Sequence, residues 1–262
     1  MHAIRIAVAA ALGLAVTAAR AEVVTRTVEY RQGDTVLEGV VAYDTAGPAR
    51  RPGVLVVHDW MGVSADTRKR LDQLARMGYV AFAADIYGKG VRPTSPKEAG
   101  AQAGKFKGDR QLLRARVRAA FEELARQPNV DPTRIAAIGF CFGGTAALDL
   151  ARTGAPLVGT VCFHGGLDSP TPADAKKIQG KVLVLNGGDD PFVPAAEIAA
   201  FEQEMRSAGV DWTLVLYGGA VHAFTVAGAG NDPSKGAAYD ARAEKRAFRA
   251  LEEFFAEIFA KR

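Results

Sequence analysis

Two stretches near the start of the chain alternate apolar and polar positions, Val23 to Tyr30 and Val36 to Tyr43. A period of two predicts half-buried strands, and Gln32-Gly33-Asp34 between them supplies a turn, so the pair is expected to run antiparallel. Beyond Tyr43 the pattern changes to short continuous apolar runs at 54–57, 80–83, 135–138, 157–163, 182–185 and 213–216. Such runs suit strands covered on both faces, as in a parallel sheet. Between them the apolar period lengthens. Leu71, Leu74 and Met77 share one face of a helix over 66–77, and Leu113, Val117, Phe121 and Leu124 share one over 110–126. Further helices are expected at 144–152, 195–208 and 236–261. This alternation predicts an α/β fold, a mostly parallel central sheet with helices on both faces. Chemistry in such sheets collects on loops at the carboxyl ends of the strands. The Gly/Pro-rich, basic stretch from Tyr87 to Lys107 reads as a loop or lid over that end.

The first residues stand apart. Arg5 precedes an apolar or small-residue run from Ile6 to Ala19, and Ala19-Arg20-Ala21 offers small residues where a signal peptidase reads. A secretory signal at 1–21 is expected, followed by one domain at 22–262 and a periplasmic or secreted location. Without Arg5 and Arg20 the 33 basic residues become 31 against 29 acidic, a net charge of +2. That balance, with Lys and Arg spread along helices, argues against a nucleic-acid partner. No later apolar run is long enough to span a bilayer. The histidines show no ligand spacing, so neither metal nor cofactor is expected. A monomer acting on a small molecule is favoured.

The most informative segment is Gly139-Phe140-Cys141-Phe142-Gly143-Gly144. It follows an apolar strand and opens a small-residue helix, the setting of a G-x-nucleophile-x-G elbow. The tight turn strains the nucleophile's backbone, and flanking glycines make room for the crossing strand and helix. The side chain then stands near a helix N-terminus that favours a thiolate. Phosphate-loop and dinucleotide glycine patterns are absent. The other cysteine, Cys162, lies in an apolar run and reads as an inert core residue. Elbows of this kind order the chain as nucleophile, acid, histidine. His222 is the histidine that follows the plausible acids, Asp189 and Asp190; His58 and His164 come too early. Neighbouring side chains diverge, so one of the two aspartates can reach His222. The oxyanion donors expected are the backbone N–H groups of Phe142 and of Trp60, in the loop after the 54–57 strand.

These residues resemble the dienelactone hydrolase family, from about Val54 to Phe259. The matching pieces are Asp59-Trp60-Met61-Gly62-Val63, Ala84-Asp85-Ile86-Tyr87-Gly88, the cysteine elbow, Asp190-Pro191-Phe192-Val193-Pro194 and His222-Ala223-Phe224. The resemblance implies an α/β-hydrolase fold and hydrolysis of an ester or lactone through a Cys141-Asp190-His222 triad. It selects Asp190, because the family's acid stands just before the x-x-Val-Pro element. The family's founding type carries Glu where Asp59 stands, an acid placed to interact with the nucleophile. It carries arginines where Lys89 and Val226 stand. The reaction class is therefore carried over and the anionic substrate is not. The expected pocket wall is Trp60, Tyr87, Phe142, Phe192 and Phe224, with Asp59 beside the nucleophile and Lys89 the nearby cation. The alternative is a non-catalytic exported binding protein of the same fold, which would have no need of three triad members. A thiol redox protein would want a C-x-x-C that this chain lacks.

Overall fold

The computed structural model describes residues 22–260. The expected signal at 1–21 and its cleavage point lie outside them. The alternating stretches form β1 (Val23–Gln32) and β2 (Thr35–Asp44), an antiparallel pair turning through Gly33 and Asp34. Six more strands follow: β3 (Arg51–Val57), β4 (Val80–Ala84), β5 (Val130–Phe140), β6 (Gly159–Phe163), β7 (Lys181–Gly187) and β8 (Trp212–Tyr217). They form one sheet in the order β1-β2-β4-β3-β5-β6-β7-β8. β2 runs antiparallel to β4, and every pairing from β4 to β8 is parallel. Every residue of β4 and of β6 is buried, which is why their sequences are apolar without alternation.

The helices are α1 (Ala65–Arg76), α2 (Pro96–Gly108), α3 (Arg110–Arg126), α4 (Phe142–Arg152), α5 (Ala195–Ala208) and α6 (Ala241–Ile258). Leu55, Val57 and Phe82 pack on one face of the sheet with Phe106 of α2, Val117 of α3 and Ala147 of α4. Val54, Val56 and Ala83 pack on the other with Leu71 of α1 and Leu251 and Phe255 of α6. A third cluster holds Phe201 and Met205 of α5 against Val182, Val184 and Cys162.

Two expectations need correction. The stretch from Tyr87 to Lys107 is not a continuous loop, since α2 begins at Pro96. The Ser95 side chain accepts the Glu98 N–H, proline occupies the first turn, and Ala99, Ala103 and Phe106 are buried. Cap, N-terminal proline and a spaced apolar face are all helix signals, diluted here by glycines and lysines. The last helix starts at Ala241 rather than Gly236, because Asp240 caps it by accepting the N–H groups of Arg242 and Ala243.

The chain leaves β3 for β4 on one side and then returns to β5 on the other. Sheets of this type open a crevice where the strand order reverses. Here that point lies between the carboxyl ends of β3 and β5, where the loop at Asp59–Gly62 faces Cys141.

Candidate active site

Cys141 caps α4 with φ 54° and ψ −119°, a positive-φ conformation that non-glycine residues rarely hold. Its own N–H donates to Phe163 O at 3.0 Å, tying the turn to β6. The turn demands its glycines: a Cβ on Gly139 would lie 1.9 Å from Gly143 O, and one on Gly143 would lie 2.2 Å from Val57 O. The elbow is therefore a crossing of backbones with no space for side chains.

Asp190 follows β7 and His222 follows β8, and the two meet beside Cys141. His222 Nδ1–H donates to Asp190 Oδ2 at 2.8 Å, while Nε2 lies 3.0 Å from Cys141 Sγ. The other oxygen of Asp190 accepts the Phe192 N–H at 2.8 Å, so both carboxylate oxygens are occupied. Asp189 is exposed on the turn, where its N–H donates to Ala220 O. His222 is pinned by its N–H to Gly236 O and by Ala238 N–H to its own carbonyl. Burial alone would lower the basicity of its ring. The hydrogen bonds to Asp190 and Cys141, and their charges, outweigh burial and raise its pKa to about 10. An imidazole so placed can hold a proton beside the sulfur and hand it on.

The loop after β3 is nearly saturated. Met61 N–H donates to Asp59 Oδ1 at 2.8 Å, Gly62 N–H to Asp59 O at 3.3 Å, and Tyr87 O–H to Trp60 O at 2.9 Å. Among the described residues, the N–H groups of Trp60 and Phe142 have no hydrogen-bond partner. Burial raises the pKa of Asp59, which favours its protonated form, and the nearby Asp66 carboxylate adds to this.

A cavity of about 750 Å³ opens above Cys141 and His222. Trp60 and Phe192, 39% and 60% exposed, stand on its lining, and the ring edge of Phe192 rests on His222 at 5.3 Å. Asp59, Phe142 and Val226 also line it. Three expected pocket residues do not. Tyr87 is buried behind the loop, engaged with Trp60 O. Phe224 is fully buried against His164 and Tyr217. Lys89 points away and pairs with Glu29 in solvent. The cation on the cavity wall is Lys107, brought there by α2, on a lining that also includes the acidic side chains of Asp59 and Asp66.

Two further residues carry a signal that the triad motif does not include. His164 closes β6 with φ 38°, bonds Thr225 Oγ1 at 2.8 Å, and packs its ring edge on His222 at 5.4 Å. Burial, helped by the charge of His222, holds its pKa well below the ordinary histidine value. His58 closes β3 and is buried beneath the loop. Each stands directly after an apolar strand, a position this sheet type reserves for function, which is the signal that could have flagged them. Among the described residues, no three His, Cys, Asp or Glu side chains gather as a metal site.

The dienelactone hydrolase family model matches residues 37–259. The chain belongs to the dienelactone hydrolase family. It is similar to a solved dienelactone hydrolase-like promiscuous phosphotriesterase from metagenomic libraries. The two are 40% identical, with a TM-score of 0.86 over 91% of this chain and 99% of the other. A Bradyrhizobium protein named "Probable 2-oxo-3-(5-oxofuran-2-ylidene)propanoate lactonase" is 31% identical over 67% of this chain and 74% of its own length. As a member of this family the protein is a hydrolase of esters or lactones.

Proposed function

We propose that this dienelactone hydrolase family member cleaves neutral carboxylic esters or lactones by covalent catalysis through Cys141, Asp190 and His222. The observation that carries the reading is the unbroken series Asp190 Oδ2, His222 ring, Cys141 Sγ, at 2.8 and 3.0 Å, beneath the cavity. Cys141 gives its proton to His222 and attacks the acyl carbon, forming an S–C bond and a tetrahedral oxyanion. The N–H groups of Trp60 and Phe142 receive that charge, and one such donor is typically worth ~3 kcal/mol. As the C–O bond breaks, the His222 imidazolium protonates the departing oxygen, leaving a thioester. Water then gives a proton to His222 and attacks the thioester; the acid departs and the sulfur recovers its proton. Asp190 holds the imidazole in the tautomer that keeps Nε2 toward sulfur and stabilises the imidazolium.

An apolar wall that carries one exposed lysine together with two acidic residues, Asp59 and Asp66, favours neutral substrates over anionic lactones. The likeness to a phosphotriesterase adds a phosphotriester to the substrates worth testing. Export is part of the proposal and rests on the signal-like residues 1–21; protein purified from the expressing cell should begin at Glu22. The deciding experiment is turnover of p-nitrophenyl acetate with detection of an acylated Cys141 by mass spectrometry. Cys141→Ala should lose both. Wild-type turnover by that variant would reject the thioester route, and no turnover by the wild type on a broad ester and lactone panel would favour a binding protein.

A further inference from the structure

The loop that offers Trp60 N–H has a support that the triad does not use. A peptide unit is planar and trans, so its C=O and N–H point in opposite directions. Whatever grips the carbonyl of Asp59 therefore aims the N–H of Trp60. Two donors grip it: Gly62 N–H from within the loop, at 3.3 Å, and the ring of His58 at 2.5 Å through Nδ1. A carbonyl oxygen can only accept, so Nδ1 carries the hydrogen. Nε2 in turn accepts the Ile86 N–H at 3.3 Å, from the segment just after β4. The neutral Nδ1–H tautomer satisfies both partners at once.

The ring is fully buried between the side chains of Tyr87, edge-on at 4.7 Å, and Phe142, stacked at 6.0 Å. Burial pushes its pKa down to about 4, against the opposing pull of Asp59 O and of Asp85. It thus stays uncharged at neutral pH. Its hydrogen bond also polarises the Asp59–Trp60 peptide, because donation to a carbonyl strengthens the N–H of the same unit. The next peptide is held at both ends, by Tyr87 O–H on Trp60 O and by Asp59 Oδ1 on Met61 N–H. Asp59 O, Trp60 O, Met61 N–H and Gly62 N–H thus all have partners, whereas the Trp60 N–H between them has none among the described residues.

We infer that His58 is a positioning residue for the oxyanion site, a neutral imidazole that fixes and polarises the Asp59–Trp60 peptide so that Trp60 N–H is aimed where charge develops. The inference rests on the acyl-transfer reading above, but it concerns a side chain outside the triad that does not touch substrate.

The test separates two reactions of Cys141. Acylation by p-nitrophenyl acetate passes through an oxyanion, whereas alkylation by iodoacetamide, a displacement at saturated carbon, does not. His58→Phe keeps the ring packing and removes both hydrogen bonds. His58→Gln places its amide near Nε2 and loses the grip on Asp59 O, while His58→Asn places a donor near Nδ1 and retains it. Acylation should fall about 10- to 100-fold in the Phe and Gln variants, short of the ~10²–10³ expected when a donor is removed outright, and should recover in the Asn variant. The loss should appear in kcat with KM unchanged, and alkylation should proceed at the wild-type rate in all three. Should the Phe variant fail to fold, the Asn and Gln pair decides. Wild-type acylation in Phe or Gln, or alkylation that falls in step with acylation, would overturn the inference. Failure of the acyl-transfer reading would show differently, as ester turnover that survives Cys141→Ala.

Discussion

Replacing Asp190 by Asn changes one oxygen to an amide nitrogen and leaves the shape intact. In the wild type, Oδ1 accepts from Phe192 N–H and Oδ2 from His222 Nδ1–H, each at 2.8 Å, with the carboxylate shielded from solvent. Asn can satisfy one of these donors at a time. With its oxygen on Phe192 N–H, the NH₂ faces His222 and makes Nδ1 an acceptor. The ring proton then sits on Nε2, pointing at Cys141, and nothing can take the thiol proton. With the amide reversed the tautomer is right, but the NH₂ opposes Phe192 N–H. That leaves a buried donor unpaired at ~1–3 kcal/mol. The productive arrangement also exchanges a charge-assisted bond worth ~1.5–3 kcal/mol for a neutral one worth ~1 kcal/mol. The two costs total roughly 1.5–5 kcal/mol, which is about 13- to 5,000-fold in kcat. Stopped-flow acylation by p-nitrophenyl acetate measures this directly, with thermal unfolding as the check on folding. Asp189→Asn should be near wild type, because that side chain stands in solvent. Asp190→Asn within about fivefold of wild type, well short of the smallest loss these two costs allow, would refute the reasoning. So would a larger loss in Asp189→Asn.

Other expectations follow from the same structure. Arg152 and Glu204 form a buried bidentate pair at 2.9 and 2.7 Å. Glu204→Gln should therefore cost roughly 3 kcal/mol, near the low end for breaking a buried pair because Asp149 lies 3.6 Å from the same guanidinium. That corresponds to a Tm lower by about 6–12 °C with kcat retained, and an unchanged Tm would count against a structural role for the pair. His222 has its folded pKa raised from 6.5 to about 10, so its contribution to stability is complete below pH 6.5 and drains away as pH rises through about 10. Urea unfolding across that range should show the wild type losing its advantage over His222→Gln, and a constant gap would contradict the assignment. Lys89→Ala should leave the kcat/KM ratio of carboxylated to neutral lactone unchanged. Lys107→Ala should lower that ratio by no more than about fivefold, as befits an exposed charge, and the reverse ranking would restore Lys89 to the site. Burial pushes the Cys162 thiol up to about 12, so iodoacetamide should modify Cys141 alone in the folded protein and Cys162→Ala should remain active. Labelling at Cys162 first, read by peptide mapping, would be the contrary result.

The parts of this protein that local chemistry controls were legible along the chain. The elbow is written in consecutive residues, because a strand, a strained turn and a helix need glycine at fixed offsets from Cys141. The strands announced themselves because a sheet covered on both faces needs unbroken apolar runs. The chain order expected of such an elbow then pointed to His222, and the resemblance to the family, through its x-x-Val-Pro element, pointed to Asp190. What tertiary structure decided was which way neighbouring side chains face. Tyr87, Lys89 and Phe224 all adjoin motifs at the catalytic end, yet Tyr87 and Phe224 turn inward to pack and Lys89 turns out to meet Glu29, a residue 60 positions earlier. Lys107 reaches the cavity because α2 folds over it, and α2 was hidden by glycines and lysines that dilute its apolar face. The grip of His58 on the Asp59 carbonyl depends on a donor from Ile86, 28 residues further on, that fixes its tautomer. No spacing rule encodes such a contact: it exists because β3 and β4 lie side by side in the sheet and bring the ends of two apolar strands together.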